Sequence, residues 1–149
     1  MPERLGEWNF VKILELGNYL MNHIQEKPLF SLGVSDNSVL VTAGCFDPKF
    51  KETESVYDQA MATFSVLDGV LAEAGLDKSN VMSASVWLPL RETCGNGPTI
   101  AADDAAEFNK AWNEYWGELA KPARDTVGVG FVFPEFLCEI KFIASHSKA

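Results

Sequence analysis

Histidine is almost missing from this chain: His23 and His146 are its two copies, far apart in sequence. A Ser-His-Asp relay therefore has few candidates. His146, in the terminal SHSKA, reads as part of a frayed tail rather than as a base. Cysteine occurs three times, at Cys45, Cys94 and Cys138, each more than forty residues from the next and never as C-x-x-C. That spacing disfavours a structural zinc site, and an odd thiol count without a secretion signal disfavours a disulfide framework. The expectation is a protein with no metal and no cofactor. No apolar run approaches the about 20 residues that cross a bilayer. The opening MPERLGEWNF carries acids where a signal peptide has a basic segment followed by an apolar one. A cytoplasmic protein without a membrane partner is expected. Basic residues are also scarce, 12 against 21 acids for a net charge of −9, and they are dispersed. Phosphate polyanions need a clustered basic surface, so no nucleic-acid partner is expected.

What is present suits one folded domain. The 149 residues are 47% hydrophobic and 22% charged, enough for a real core. SVLVTAG, ending at Gly44, reads as a short buried strand. In ETESVYDQAMATFSVLDGVLAEAGL the apolar positions Val56, Ala60, Phe64, Leu67, Leu71 and Ala74 step by three or four, the spacing of one helix face. Ser55 supplies a capping signal with Asp58, and Gly75 a stop. NVMSASVWLPL alternates like a strand, with Pro89 near its end. RETCGNGPTIA has the composition of a loop. A second helix carries Phe108, Trp112, Tyr115, Trp116 and Leu119 on one stripe, with Asp104 as its cap and Pro122 beyond its end. Two strands close the chain. The order after residue 37 is β-α-β-α-β-β, which predicts an α+β domain with two helices on one face of a mixed sheet. Before it, Phe10, Val11, Leu14 and the Tyr19–Leu20–Ile24 group suggest a short helix broken near Gly17.

The closing strands pose a question of charge. Arg124 stands at the mouth of TVGVGFVF, behind the rigid Pro122–Ala123 entry, where its planar fork suits a carboxylate. Gly128 and Gly130 strip bulk from one side of that strand, a sign of close approach by a ligand or another chain. In the next strand Phe136, Cys138, Ile140 and Phe142 form a core face, leaving Glu139 and Lys141 opposite. The bland alternatives are a solvated Glu139–Lys141 pair and a surface ion pair from Arg124 to Asp125 or Glu139. If Pro134 and Glu135 form a hairpin turn, Glu139 lies opposite Gly130 and roughly 20 Å from Arg124. The two could then meet over one small ligand only across a subunit boundary, in a ring of identical chains.

The segments PLFSLGV, SVLVTAG, VLAEAGL, NVMSASVWLPL, FNKAWNEYW, KPARDTV and LCEIKFIA, in that order, resemble the YjgF/RidA family of imine/enamine deaminases over residues 28–145. The resemblance implies a chorismate-mutase-like single domain over 1–149, assembled as a homotrimer with ligand clefts between subunits. An N-terminal extension over about 1–27 and a long loop near 89–103 depart from the family pattern. By that resemblance Arg124 binds the substrate carboxylate and Glu139 positions or activates the attacking water. Thr126 would hold the ligand through its backbone N–H, and Gly44 matches the glycine of the family's Ser-Gly pair. The family's tyrosine and serine correspond to Phe30 and Ala43. Both substitutions remove a hydroxyl and leave a more apolar pocket with fewer donors.

Such chemistry needs little machinery: an arginine to orient the substrate and a carboxylate to direct one water. The implied activity is hydrolysis of a carboxylate-bearing imine or enamine to a carbonyl compound and ammonia. The competing expectation is a non-catalytic, carboxylate-binding or regulatory trimer of the same fold. Trp87 lines the cleft or simply packs. Cys45 borders the pocket but has no neighbouring base that would make it a nucleophile. Trp112, Tyr115 and Trp116 read as helix core.

Overall fold

The computed structural model describes residues 21–147, so the helix expected around Phe10–Leu14 falls outside the described residues. Ile24 is buried within a strand. The first three strands, β1 (Asn22–Glu26), β2 (Ser31–Ser35) and β3 (Val39–Thr42), form an antiparallel meander. Strand β1 thus places part of the expected N-terminal extension inside the sheet. Gly33 is required here, because a Cβ would meet Val70 Cγ1 at 2.7 Å.

Helix α1 (Val56–Glu73) follows the predicted spacing. The Ser55 hydroxyl accepts the Asp58 N–H at 3.0 Å, and Val56, Ala60, Phe64, Leu67 and Leu71 are fully buried. Gly75, at φ +74°, takes the left-handed conformation that releases the chain. A 3-10 turn at Lys78–Asn80 leads into β4 (Val81–Cys94). This strand is longer than its sequence suggests: it runs through Pro89 and turns at Gly95 (φ +58°) into β5 (Gly97–Ile100). The expected loop near 89–103 is therefore largely a β-hairpin, with Leu90 opposite Ile100 and Thr93 opposite Pro98.

Helix α2 (Ala102–Trp116) buries Phe108, Trp112, Tyr115 and Trp116 as expected. Its cap is Ala101, not Asp104. Asp104 sits within the first turn, buried, and pairs with Arg91 of β4 through two guanidinium N–H donors. The carboxylate that looked like a cap ties the helix to the hairpin instead. Leu119 lies past the stop at Gly117 (φ +53°) and is exposed.

Strands β6 (Ala123–Val129) and β7 (Glu139–Ser145) do not pair with each other, which overturns the expected hairpin. Both flank β4: β6 runs parallel to it, and β7 antiparallel between β3 and β4. Parallel neighbours need a long crossover, and α2 provides it between β4 and β6. Helix α1 likewise joins β3 to β4, with β7 inserted between them. The rings of Phe64, Tyr115 and Trp116 all contact Phe142 of β7, so both helices cover the same face of the sheet. Ala84, Val86, Leu88, Cys138, Ile140, Phe142 and Ala144 complete the core beneath them. No helix among the described residues is long and apolar enough to cross a membrane.

Candidate functional site

Strand β7 alternates as predicted: Ile140, Phe142 and Ala144 are buried, while Glu139, Lys141 and Ile143 are half-buried on the opposite, helix-free face. Glu139 stands opposite Trp87, not Gly130. A two-way backbone bridge between Cys45 and Ile140, at 2.8 and 2.9 Å, draws the segment after β3 onto the start of β7. Gly44 is thereby pressed against Glu139. A Cβ at residue 44 would lie 2.6 Å from Glu139 Oε1. No hydrogen bond or ion pair reaches this carboxylate among the described residues, whose one ion pair is Arg91–Asp104. Burial without a compensating donor pushes the Glu139 carboxyl above its usual range. Cys45 is buried beside it, and desolvation, aided by the charge of Glu139, drives its thiol up to about 11. At neutral pH Cys45 is a thiol, not a nucleophilic thiolate.

Gly44 and Cys45 help line a groove of about 510 Å³. Phe30, Leu32, Phe46 and Pro48 extend its lining, and α1 adds Ser65, Val66 and Gly69. Phe30 is half exposed and has no hydroxyl to offer. Ala43 is held by its backbone, its N–H donating to Leu32 O at 2.8 Å. The neighbouring Thr42 hydroxyl is already engaged. It donates to Ala43 O at 2.8 Å and accepts from Phe142 N at 2.9 Å.

Sequence reasoning missed what supports this region. Phe46, Phe50, Phe131, Phe133 and Phe136, from two separate loops, form one aromatic cluster with Phe136 at its centre. The ring of Phe136 lies 4.8 Å from Phe46, 4.1 Å from Phe50 and 5.4 Å from Phe133. Gln59 of α1, fully buried, staples the loops together. Its Nε2 donates to Thr53 O (2.7 Å), Glu135 O (2.8 Å) and Phe50 O (3.3 Å), and its Oε1 accepts from Leu137 N (2.9 Å). The legible signal was a large polar residue, Gln59, on the mainly apolar inward face of a helix.

Arg124 lies elsewhere. In β6 it is level with Ala84, whereas Glu139 is level with Trp87, three residues along β4 and on its other side. At about 3.3 Å per residue and roughly 4.8 Å per strand step, the two backbones are roughly 14 Å apart rather than 20 Å. They also face opposite sides of the sheet. Arg124 points to the helix side, its guanidinium carbon 4.9 Å from the ring centre of Trp112 and 5.6 Å from that of Phe108. Neither expected ion pair, to Asp125 or to Glu139, forms, and no hydrogen bond engages the guanidinium among the described residues. Burial lowers its pKa somewhat. Thr126, two residues on, is exposed on the same side of β6. Gly128 has an internal reason: a Cβ there would collide with Leu90 and Ile100 of the β4–β5 hairpin. One chain thus holds these residues in two separate groups. Gly44, Cys45 and Trp87 adjoin Glu139 at the start of β7, with Ala43 next in the chain and Phe30 across the groove, and Arg124 with Thr126 stands at the sheet edge.

The family model described as endoribonuclease L-PSP matches residues 22–146. A RutC family protein of Haemophilus influenzae is 28% identical over 98 residues, spanning 66% of this chain and 75% of the relative. The RutC family protein YoaB of Escherichia coli is 29% identical over 89 residues, 60% of this chain and 68% of its own. Among solved structures, a YjgF family protein from Neisseria meningitidis aligns with a TM-score of 0.72 at 26% identity, covering 88% of this chain and 98% of that one. E. coli TdcF with bound serine shares the fold, with a TM-score of 0.67 at 23% identity over 82% of this chain and 91% of its own. Mixed α+β architecture, the Gly44–Glu139 contact and the Arg124 edge therefore sit in a chain that belongs to the endoribonuclease L-PSP family, the group of the YjgF and RutC proteins.

Proposed function

We propose that the protein hydrolyses imines or enamines that carry a carboxylate, releasing ammonia and a carbonyl compound. The observation that carries this reading is the Glu139 carboxylate: half-buried, raised in pKa, unpartnered among the described residues and packed against Gly44. A base kept free of partners can take a proton from water. In the reaction, an enamine first tautomerises to the imine, and water adds to the carbon of the protonated C=N while Glu139 accepts one water proton. Glu139 returns that proton to the carbinolamine nitrogen, the C–N bond breaks as the hydroxyl proton passes back to Glu139, and a carbonyl compound and ammonia leave. Arg124 supplies the carboxylate grip, its fork free while the ring faces hold its plane.

Because the two groups lie on opposite faces of one chain, the complete site needs two chains. We place it between protomers of a homotrimer, one giving Arg124 and Thr126, its neighbour Glu139 and Gly44. The test is ammonia release from imines generated in solution, by the native protein and by Arg124→Ala and Glu139→Gln. Turnover unaffected by either substitution would remove the assignment.

A second reading is a trimer that binds small carboxylates without turnover. The donor-poor groove favours it, since Phe30 and Ala43 offer no hydroxyl and Thr42 is already committed. Saturable binding of small carboxylic acids with no ammonia from any imine would select this reading. RNA cleavage, named in the family description, is opposed by the net charge of −9. Intact RNA after incubation with pure protein is the expected result.

A further inference from the structure

We propose that the groove beside Gly44 receives the substrate's side chain, and that the preferred substrates are 2-imino acids with a branched or aromatic side chain of four or more carbons. The chemistry rests on the imine-hydrolysis reading; the selectivity rests on the groove itself.

Three observations define the class. Gly44 lines the groove and also packs against the Glu139 carboxylate, which is itself outside the lining, so one residue separates the groove from the reacting centre. The volume of about 510 Å³ falls within the range of pockets that enclose whole ligands. A three-carbon imino acid would leave most of it to water. The lining is apolar along most of its length, through Phe30, Leu32, Phe46, Pro48 and Val66. Burying a matching side chain removes both surfaces from water.

The polar lining excludes the other classes. No Asp or Glu lines the groove, so a cationic side chain would lose its hydration without gaining a counter-charge. Gln25 already donates to Glu73 Oε1 at 3.2 Å. The Cys45 thiol is directed to Ala43 O at 3.6 Å. Ser65 adds one exposed hydroxyl from α1. A polar, uncharged side chain therefore finds few partners along the groove, and unmade hydrogen bonds are what reject it. Lys27 is the one cation in the lining and is exposed. It defines the rival outcome, a preference for a second carboxylate.

The experiment generates imines in solution with an amino acid oxidase from leucine, phenylalanine, alanine, glutamate and arginine, and corrects for spontaneous hydrolysis. The leucine- and phenylalanine-derived imines are expected to exceed the alanine-derived one in kcat/KM by about tenfold or more, with the arginine-derived imine slowest. Val66→Trp fills the groove and should reduce the phenylalanine-to-alanine ratio by about tenfold. A misfolded variant would lower both rates together and leave that ratio unchanged. Equal rates for alanine and phenylalanine, or a lead for glutamate or arginine, would overturn the inference while leaving imine hydrolysis standing. If no imine is turned over, the catalytic reading fails by itself, and the groove is then judged by calorimetry. 3-Phenylpropanoate should bind about tenfold more tightly than propanoate, and Val66→Trp should erase the difference. Equal affinities would overturn the inference there too.

Discussion

Gly44 and Glu139 meet where a side chain is missing: a Cβ on residue 44 would stand 2.6 Å from Glu139 Oε1 and 2.8 Å from its Cδ. The colliding atoms are the free end of a side chain, so Gly44→Ala should shift the carboxylate rather than the backbone. Thermal stability should barely change, whereas turnover should fall about 100-fold, the scale of a misplacement near 1 Å. An alanine variant as active as the native protein would mean that the position of Glu139 has no bearing on the reaction.

The burial of Glu139 also costs stability once its carboxyl ionises. Its folded-state pKa is raised above the ordinary 4.5, so between the two values the folded state holds more protons than the unfolded. Stability from this group is full below 4.5 and is lost as pH rises through the folded value. Glu139→Gln should therefore raise the midpoint of thermal unfolding at pH 7, with a gain that shrinks as pH falls toward 4.5. The same variant should lose about 100-fold or more in turnover. A stabilised but inactive protein is the combined signature, and equal stability at all pH values would show that the carboxyl is not desolvated.

Arg124 is held by ring faces rather than by a counter-ion, with Trp112 at 4.9 Å and Phe108 at 5.6 Å. Stacking fixes the guanidinium plane and leaves its donor edge for a ligand. Arg124→Lys keeps the charge but loses the planar fork. Binding of small carboxylates should weaken by about 10- to 100-fold, with KM rising and kcat changing far less. Trp112→Phe, which keeps a ring beneath the guanidinium, should show a smaller version of the same change. If Arg124→Lys binds as well as the native protein, a simple positive charge suffices and the stacking has no role in recognition.

Local signals were legible in the sequence where a neighbour in the chain settles the structure. Ser55, the three-and-four stepping of Val56 to Leu71, and Gly75 define α1 without outside help. The burial alternation of β7 was readable for the same reason. Signals failed where a distant partner decides. β6 and β7 are consecutive and suggest a hairpin, yet both are claimed by β4, because α2 allows β6 to return parallel. Gly95 and Pro98 read as loop residues, but they belong to a turn and an edge strand closed by Leu90 opposite Ile100. Asp104 has the right type and place for a cap and is captured by Arg91 instead. For the candidate site, the sequence offered residue types, while the opposite-face placement of Arg124 and Glu139 needed the register of three strands.

The three thiols should separate cleanly by reactivity. Cys94 lies exposed at the tip of the β4–β5 hairpin, whereas Cys45 and Cys138 are buried and desolvation raises them to about 11 and about 12. Alkylation at pH 8 should mark Cys94 in minutes and reach the other two only when the protein unfolds. Mass spectrometry of the alkylated peptides gives the order directly. Rapid labelling of Cys45 in the native protein would mean a thiolate in the groove lining, and covalent chemistry would then have to be reconsidered.

Gln59 links the core to the site, because its side chain joins the loop at 50–53 to the loop that delivers Phe136 and then Glu139. Gln59→Leu would leave the buried Leu137 N–H and several carbonyls unmatched, at a cost of about 3 kcal/mol. Gln59→Glu separates hydrogen bonding from packing. A carboxylate can still accept from Leu137 N, but it also faces the Thr53 and Glu135 carbonyls and must hold a proton to donate to either. Its folded pKa is then raised, so the variant should be near native in stability at acid pH and should weaken as pH rises. Denaturant unfolding at pH 5 and pH 8 measures the difference. If Gln59→Glu is equally stable at both, the amide is not the staple between these loops, and Glu139 must owe its place to the Cys45–Ile140 bridge alone.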